Sequence, residues 1–235
     1  MQSEHSFITK DQNMVKYLIH LPTGMKDSGT KKWPLILFLH GGGERGNQLS
    51  LVKQHGVAKI AEQQANFPFI TVSPQCPIHS YWPLEVEALN DLLNHITKQH
   101  PVDINRIYLT GLSMGAIGGW HLALLYPEKF AAFAPICGSL TIPEIRREEF
   151  ELSGSFDEFY QKLSSIKSLP IWAFHGDKDP IIPIKETKEI IQRLKSIGGT
   201  PKFTIYKDAG HDVWTKTYNN PELYDWFITH RKYNS

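Results

Sequence analysis

The chain has little cysteine. Cys76 and Cys137 are the only two in 235 residues, so one disulfide at most is available and a disulfide-stapled mini-protein is excluded; two buried free thiols are expected. It also lacks an excess of charge of either sign. Lys and Arg total 25 against 24 for Asp and Glu, which provides no strong field to recruit nucleic acid or an anionic membrane, so the substrate or partner need not be charged. No basic stretch followed by an apolar run opens the chain, because residues 1–16 are polar and mixed in charge; a cytoplasmic location is expected. Internal repeats, low-complexity tracts and linkers are missing as well. One stretch, residues 107–127, carries no Asp, Glu, Lys or Arg and is long enough to span a bilayer. Gly111, Gly115, Gly118 and Gly119, with Ser113 and His121 among them, make it read instead as a buried strand, a tight turn and a close-packed helix.

What is present is an ordinary globular composition, 41% hydrophobic and 21% charged, of a length that suits one α/β domain over residues 1–235. Short apolar runs at 15–20, 35–40, 69–73, 107–110, 133–136, 171–175 and 203–206 read as strands buried on both faces. Between them Leu89, Leu92, Leu93 and Ile96 recur at helical spacing, as do Ile184, Thr187, Ile191 and Leu194. Leu223, Trp226, Phe227 and His230 repeat the pattern after Pro221, a good first-turn residue. Strand and helix signals that alternate in this way predict a mostly parallel sheet with helices on both faces.

Gly111-Leu112-Ser113-Met114-Gly115 fits G-x-S-x-G between an apolar strand and a helical run. This is the context of a nucleophile elbow, in which the serine hydroxyl projects above the sheet and the following helix aims its N-terminal amides at the reacting carbonyl. The bland alternative is a glycine-rich turn with an incidental serine. A serine hydroxyl is a weak nucleophile and needs a histidine base with an orienting carboxylate, in the order Ser, acid, His. Asp177 and Asp179 follow the strand that ends at His175, and His211 follows the last strand within Asp208-Ala209-Gly210-His211-Asp212, all at the sheet edge where α/β sites form. Spacing alone leaves both acids open. Upstream, His40-Gly41-Gly42-Gly43-Glu44-Arg45-Gly46 follows an apolar strand, and its glycines let a backbone amide approach a developing oxyanion. The expected donors are the Met114 N–H and the Gly42 N–H, with Gly43 as the alternative. A phosphate loop does not fit, since its Lys-Ser/Thr is missing, and neither does a dinucleotide site, since no acidic ribose partner follows.

Together with Ser73-Pro74-Gln75-Cys76-Pro77, these motifs resemble the α/β-hydrolase superfamily over residues 15 to about 230. Within it the chain resembles the compact esterases and peptidases related to dienelactone hydrolase, polyhydroxybutyrate depolymerase-like esterases and the prolyl oligopeptidase catalytic domain. The resemblance implies an α/β-hydrolase fold and a cofactor-free, metal-free serine hydrolase acting on carboxylic esters of short acyl chains. It also implies that the second acid of His175-Gly176-Asp177-Lys178-Asp179-Pro180, Asp179, is the partner of His211. Dienelactone hydrolases carry cysteine at the elbow, where this chain has Ser113. A peptidase using the same residues on short peptides, and a non-catalytic binder, are the rival readings. Trp82 and Trp214 flank the predicted site edge as pocket candidates. Residues 139–167 look like an insertion, and 140–165, with Phe150, Leu152, Phe156, Phe159 and Tyr160, read as a small lid whose Phe156 and Phe159 narrow the acyl pocket; a solvated surface helix is the alternative.

Overall fold

The structure is a computed structural model that describes residues 2–25, 29–64, 66–150 and 157–232. Its strands are β1 (Ser3–Ile8), β2 (Met14–His20), β3 (Trp33–Leu39), β4 (Ile70–Pro74), β5 (Val102–Leu112), β6 (Ala132–Ile136), β7 (Trp172–Gly176) and β8 (Lys202–Tyr206). Its helices are α1 (Gly56–Gln63), α2 (Val86–Gln99), α3 (Met114–Leu125), α4 (Glu144–Glu149), α5 (Asp157–Lys162), α6 (Ile184–Ser196), α7 (Trp214–Tyr218) and α8 (Pro221–Thr229).

The strands form one sheet in the order β1-β2-β4-β3-β5-β6-β7-β8. β1 and β2 pair antiparallel, as do β2 and β4, and every other neighbour pair is parallel. Alternation along β3 shows why its residues run unbroken in hydrophobicity. Leu35, Leu37 and Leu39 enter one core cluster, while Ile36 and Phe38 enter the other. α2, α3 and α6 cover the first face; α1, α7 and α8 cover the second. This is the α/β-hydrolase fold.

The charge-free stretch resolves into the end of β5 and all of α3. Every residue from Met114 to Leu124 is buried, as a helix apolar on all sides requires, and no helix among the described residues is long and apolar enough to cross a membrane.

Strand β1 departs from the sequence reading, which placed no strand before residue 15. Its SEHSFI run is exposed at nearly every position, so it has no buried face to write an apolar pattern. Backbone pairing holds it instead, with Ser3 opposite Ile19 and Ile8 opposite Met14 across a turn that sets Gln12 at φ 62°.

The long excursion after β6 is tied to the domain at several points. Leu140, Ile142, Leu163 and Ile166 are buried in the core. His121 of α3 donates from Nε2 to the Leu140 carbonyl at 3.0 Å, and the Phe159 ring lies 4.2 Å from the His121 ring. The Arg193 guanidinium sits 4.2 Å over Tyr160, and Phe150 approaches Tyr81 at 5.8 Å. Leu152 and Phe156 lie outside the described residues. Phe159 thus anchors α5 on the outside of α3. Phe159→Ala should lower stability by about 2 kcal/mol, less than a fully buried ring would cost. Urea unfolding measures it, and a midpoint equal to wild type would show that the ring contributes no packing.

Candidate active site

Ser113 stands between β5 and α3 with φ 51° and ψ −118°, a region that a side-chain-bearing residue occupies only when its surroundings enforce it. The enforcement is visible in the two flanking glycines. A Cβ on Gly111 would come within 2.4 Å of the Gly115 carbonyl oxygen, and one on Gly115 within 2.0 Å of the Leu39 carbonyl oxygen. The elbow therefore closes only with glycine two residues to either side. The Ser113 N–H donates to Ile136 O at 2.9 Å, and its carbonyl accepts from Ala116 N and Ile117 N, which starts α3 directly beneath the side chain.

The hydroxyl meets a hydrogen-bonded chain. His211 Nε2 lies 2.9 Å from Ser113 Oγ, and His211 Nδ1 lies 2.7 Å from Asp179 Oδ2. Because a carboxylate only accepts, Nδ1 carries the proton and Nε2 is left bare to accept from the serine. Asp179 Oδ1 accepts the Ile181 and Ile182 N–H groups at 2.8 and 3.0 Å, which fixes the carboxylate plane. The acid and histidine loops touch backbone to backbone. A Cβ on Gly176 would lie 2.2 Å from Gly210 O, and Lys178 N donates to Ala209 O at 2.9 Å. Asp177, the other acid of the loop, is exposed.

The loop after β3 is braced from beneath. His40 is fully buried and accepts the Cys76 N–H at Nε2, 3.0 Å away, so its Nδ1–H donates to Gly41 O at 2.6 Å. Gln75 Nε2 donates to Glu44 O and Gln48 O at 2.8 and 2.9 Å. The Glu44 carboxylate is buried beneath the loop, and burial raises its pKa. Arg45 donates to Gly42 O and Ser80 O. Above this bracing, Gly42 and Gly43 are exposed, and a Cβ on either would meet nothing within 4 Å. Met114 opens α3, so its N–H belongs to the first-turn donors that have no acceptor within the helix.

Burial lowers the pKa of both His40 and His121 from 6.5 to about 4. In each ring the neutral form is the folded one, so the unfolded chain takes up more protons as the pH falls. The stability these rings contribute is complete above the unfolded value of 6.5 and drains away between there and about 4. The urea midpoint should be lower at about pH 5 than at about pH 7.5; an equal or higher midpoint at the acidic pH would contradict this account.

The two tryptophans part company. Trp82 is only 1% exposed. Its indole N–H donates to His40 O at 2.9 Å, and its Cβ fills the space left by Gly118. It supports the floor of the loop rather than forming a pocket wall. Trp214 is half-buried beside the site, edge-on to His211 with ring centroids 5.3 Å apart. His55 flanks it on the other side at 5.9 Å.

Two residues at the site escaped the sequence reading. Cys137 has φ 43°, is fully buried, and brings its Sγ within 4.8 Å of the Asp179 and His211 ligand atoms. Burial pushes its thiol pKa well up, so it is a protonated packing group and not a competing nucleophile. Those three side chains are the group among the described residues that could hold a metal ion. The Asp179 and His211 donor atoms already face one another across a proton at 2.7 Å, which does not suit a resident cation. His175 also approaches Asp179, with Nε2 3.1 Å from Oδ2. Its only sequence signal was a histidine at the end of a buried strand.

Residues 83–220 match the model of the phospholipase/carboxylesterase family. The chain belongs to that family. Among its relatives, acyl-protein thioesterase 1 of Neurospora crassa is 24% identical over 214 residues, covering 76% of this chain and 80% of the relative. A probable inactive carboxylesterase of Oryza sativa subsp. japonica is 24% identical over 206 residues, covering 76% and 78%. Among solved structures, that of a thermostable esterase superposes with a TM-score of 0.78 at 28% identity and covers 98% of this chain, which spans 63% of that longer chain's length. This family member is a hydrolase of the carboxylesterase type.

Proposed function

We propose that this family member cleaves carboxylic esters of short acyl chains by a serine mechanism, with Ser113 as nucleophile, His211 as general base and acid, and Asp179 as the carboxylate that orients His211. The observation that carries the reading is the continuous chain Asp179 Oδ2, His211 Nδ1, His211 Nε2, Ser113 Oγ at 2.7 and 2.9 Å, ending on a strained elbow at the start of α3. Ser113 Oγ attacks the ester carbonyl carbon as its proton passes to His211 Nε2. The negative charge that develops on the carbonyl oxygen is held by the Met114 and Gly42 N–H groups. Collapse of the tetrahedral species breaks the acyl–oxygen bond, and the leaving alkoxide takes the proton from His211. Water then repeats the sequence against the acyl-serine and returns the free hydroxyl.

In this reading Trp214 walls the pocket beside His211. Ser139, Ile142 and Pro143 border the acyl side, where they line a 340 Å³ cleft with the acid-loop residues Ile181 and Ile182. The setting is cytoplasmic, with which two free cysteines agree. The test is a panel of aryl esters of increasing acyl length beside aminoacyl and prolyl peptide amides. Turnover that is greatest on short esters is expected; turnover confined to the amides would make it a peptidase instead.

A further inference from the structure

We propose that His175 is a positioning residue for this reaction, a second imidazole that sets its Nε2–H against the Asp179 carboxylate and limits how strongly that carboxylate holds His211. The inference rests on the serine mechanism above and adds a member to it.

The proton positions follow from the neighbours. His175 Nε2 lies 2.8 Å from Ile182 O and 3.1 Å from Asp179 Oδ2. Both are acceptors only, so Nε2 must carry a proton. His175 Nδ1 lies 2.8 Å from Thr187 Oγ1, which in turn lies 2.9 Å from Gly138 O. The hydroxyl has one proton and two acceptors to serve. It donates to the Gly138 carbonyl, which can only accept, and the two acceptors at Nε2 hold the N–H of that nitrogen toward the acid loop.

Asp179 then receives three hydrogen bonds and the close approach of a fourth N–H. Two backbone N–H groups occupy Oδ1 and the His211 Nδ1–H takes Oδ2 at 2.7 Å, while the His175 Nε2–H, which donates to Ile182 O at 2.8 Å, lies with its nitrogen 3.1 Å from the same Oδ2. Its side chain is wholly buried, as is that of His175, so water does not level the competition. Charge that Asp179 lends to one imidazole is withheld from the other. The remaining titratable neighbours are Cys137 at the end of β6, Asp212 on the histidine's own loop, and, beyond Trp214, His55 with Glu44 at 3.9 Å from it. None of these sits between His175 and Asp179. A residue needed only to fill the end of β7 would gain nothing from a protonated Nε2 at the carboxylate.

The test uses His175→Phe, which keeps the ring volume and removes the donor, and His175→Gln, whose amide N–H reaches the Nε2 position. The readout is kcat/KM against pH on an aryl ester. In the Phe variant Asp179 loses the N–H dipole beside Oδ2 and holds the His211 imidazolium more strongly. The acid limb should therefore move to higher pH by about half a unit or more, while KM stays within about twofold. The Gln variant should keep the wild-type limb. A folded Phe variant with an unmoved limb overturns the inference and reduces His175 to scaffold. If the Phe variant does not fold, the ring spectrum of 15N-histidine-labelled wild type decides. A neutral Nε2–H tautomer whose proton resonance moves in Asp179→Asn supports the inference; an Nδ1–H tautomer or an unmoved resonance overturns it. Wild type that gives no fluorophosphonate adduct at Ser113 would remove the underlying mechanism, whereas a labelled wild type with an unmoved limb removes only the role of His175.

Discussion

Ser113→Ala should reduce ester turnover by about a millionfold, because the serine, histidine and carboxylate act as a unit and the loss of its nucleophile leaves only binding and the oxyanion donors. The fold should survive. The Ser113 side chain extends from the elbow to a single hydrogen bond with His211, while the strained φ of 51° is imposed by backbone contacts that alanine keeps. Circular dichroism and thermal melting would check the fold, and an aryl ester assay the activity. Residual turnover above about one per cent of wild type would place the nucleophile elsewhere.

Asp179→Asn should lose roughly ten-thousandfold in kcat/KM. The reason lies in which atoms surround the carboxylate. Oδ1 already accepts two backbone N–H groups, so the asparagine oxygen must stay there and its NH2 must take the Oδ2 position. That amide would then face His211 Nδ1 and His175 Nε2, donor against donor. His211 relieves the conflict by moving its proton to Nε2, the atom that must accept from Ser113, and the base is lost. Asp177→Asn should stay within a few fold of wild type, since that side chain is exposed. The opposite ranking of the two variants would move the orienting role to Asp177.

These two expectations draw on parts of the molecule that were unequally legible in the sequence. The central strands were plain because burial on both faces leaves nothing but apolar residues, as in Leu35 to Leu39, and their boundaries shifted by only a few residues. The G-x-S-x-G spacing was legible for a steric reason, since Gly115 has no room for a Cβ against Leu39 O. β1 was not legible because an exposed edge strand is specified by backbone pairing, which leaves no trace in side-chain pattern. Trp82 could be placed near the site from its position in the chain, but only the packing against Gly118 and the bond to His40 O show that it lies beneath the loop. His175 was passed over because its contact with Thr187 is made only by the approach of α6 to β7, and spacing does not show that Asp179, four residues on, turns back onto it. The aromatic content of the excursion suggested a cover for the site; Phe159 proves to be turned onto His121, a contact that spacing cannot predict.

The central claim is that Ser113 is made nucleophilic by His211 and Asp179, and covalent labelling reads it without knowledge of the substrate. The protein would be treated with a fluorophosphonate, digested, and the modified residue located by mass spectrometry, alongside Asp179→Asn and a heat-unfolded control. The account predicts one adduct per chain, on Ser113, formed rapidly in wild type, much more slowly in Asp179→Asn and not at all after unfolding. An unmodified Ser113 in folded, ester-cleaving protein, or an adduct on another residue, would contradict it.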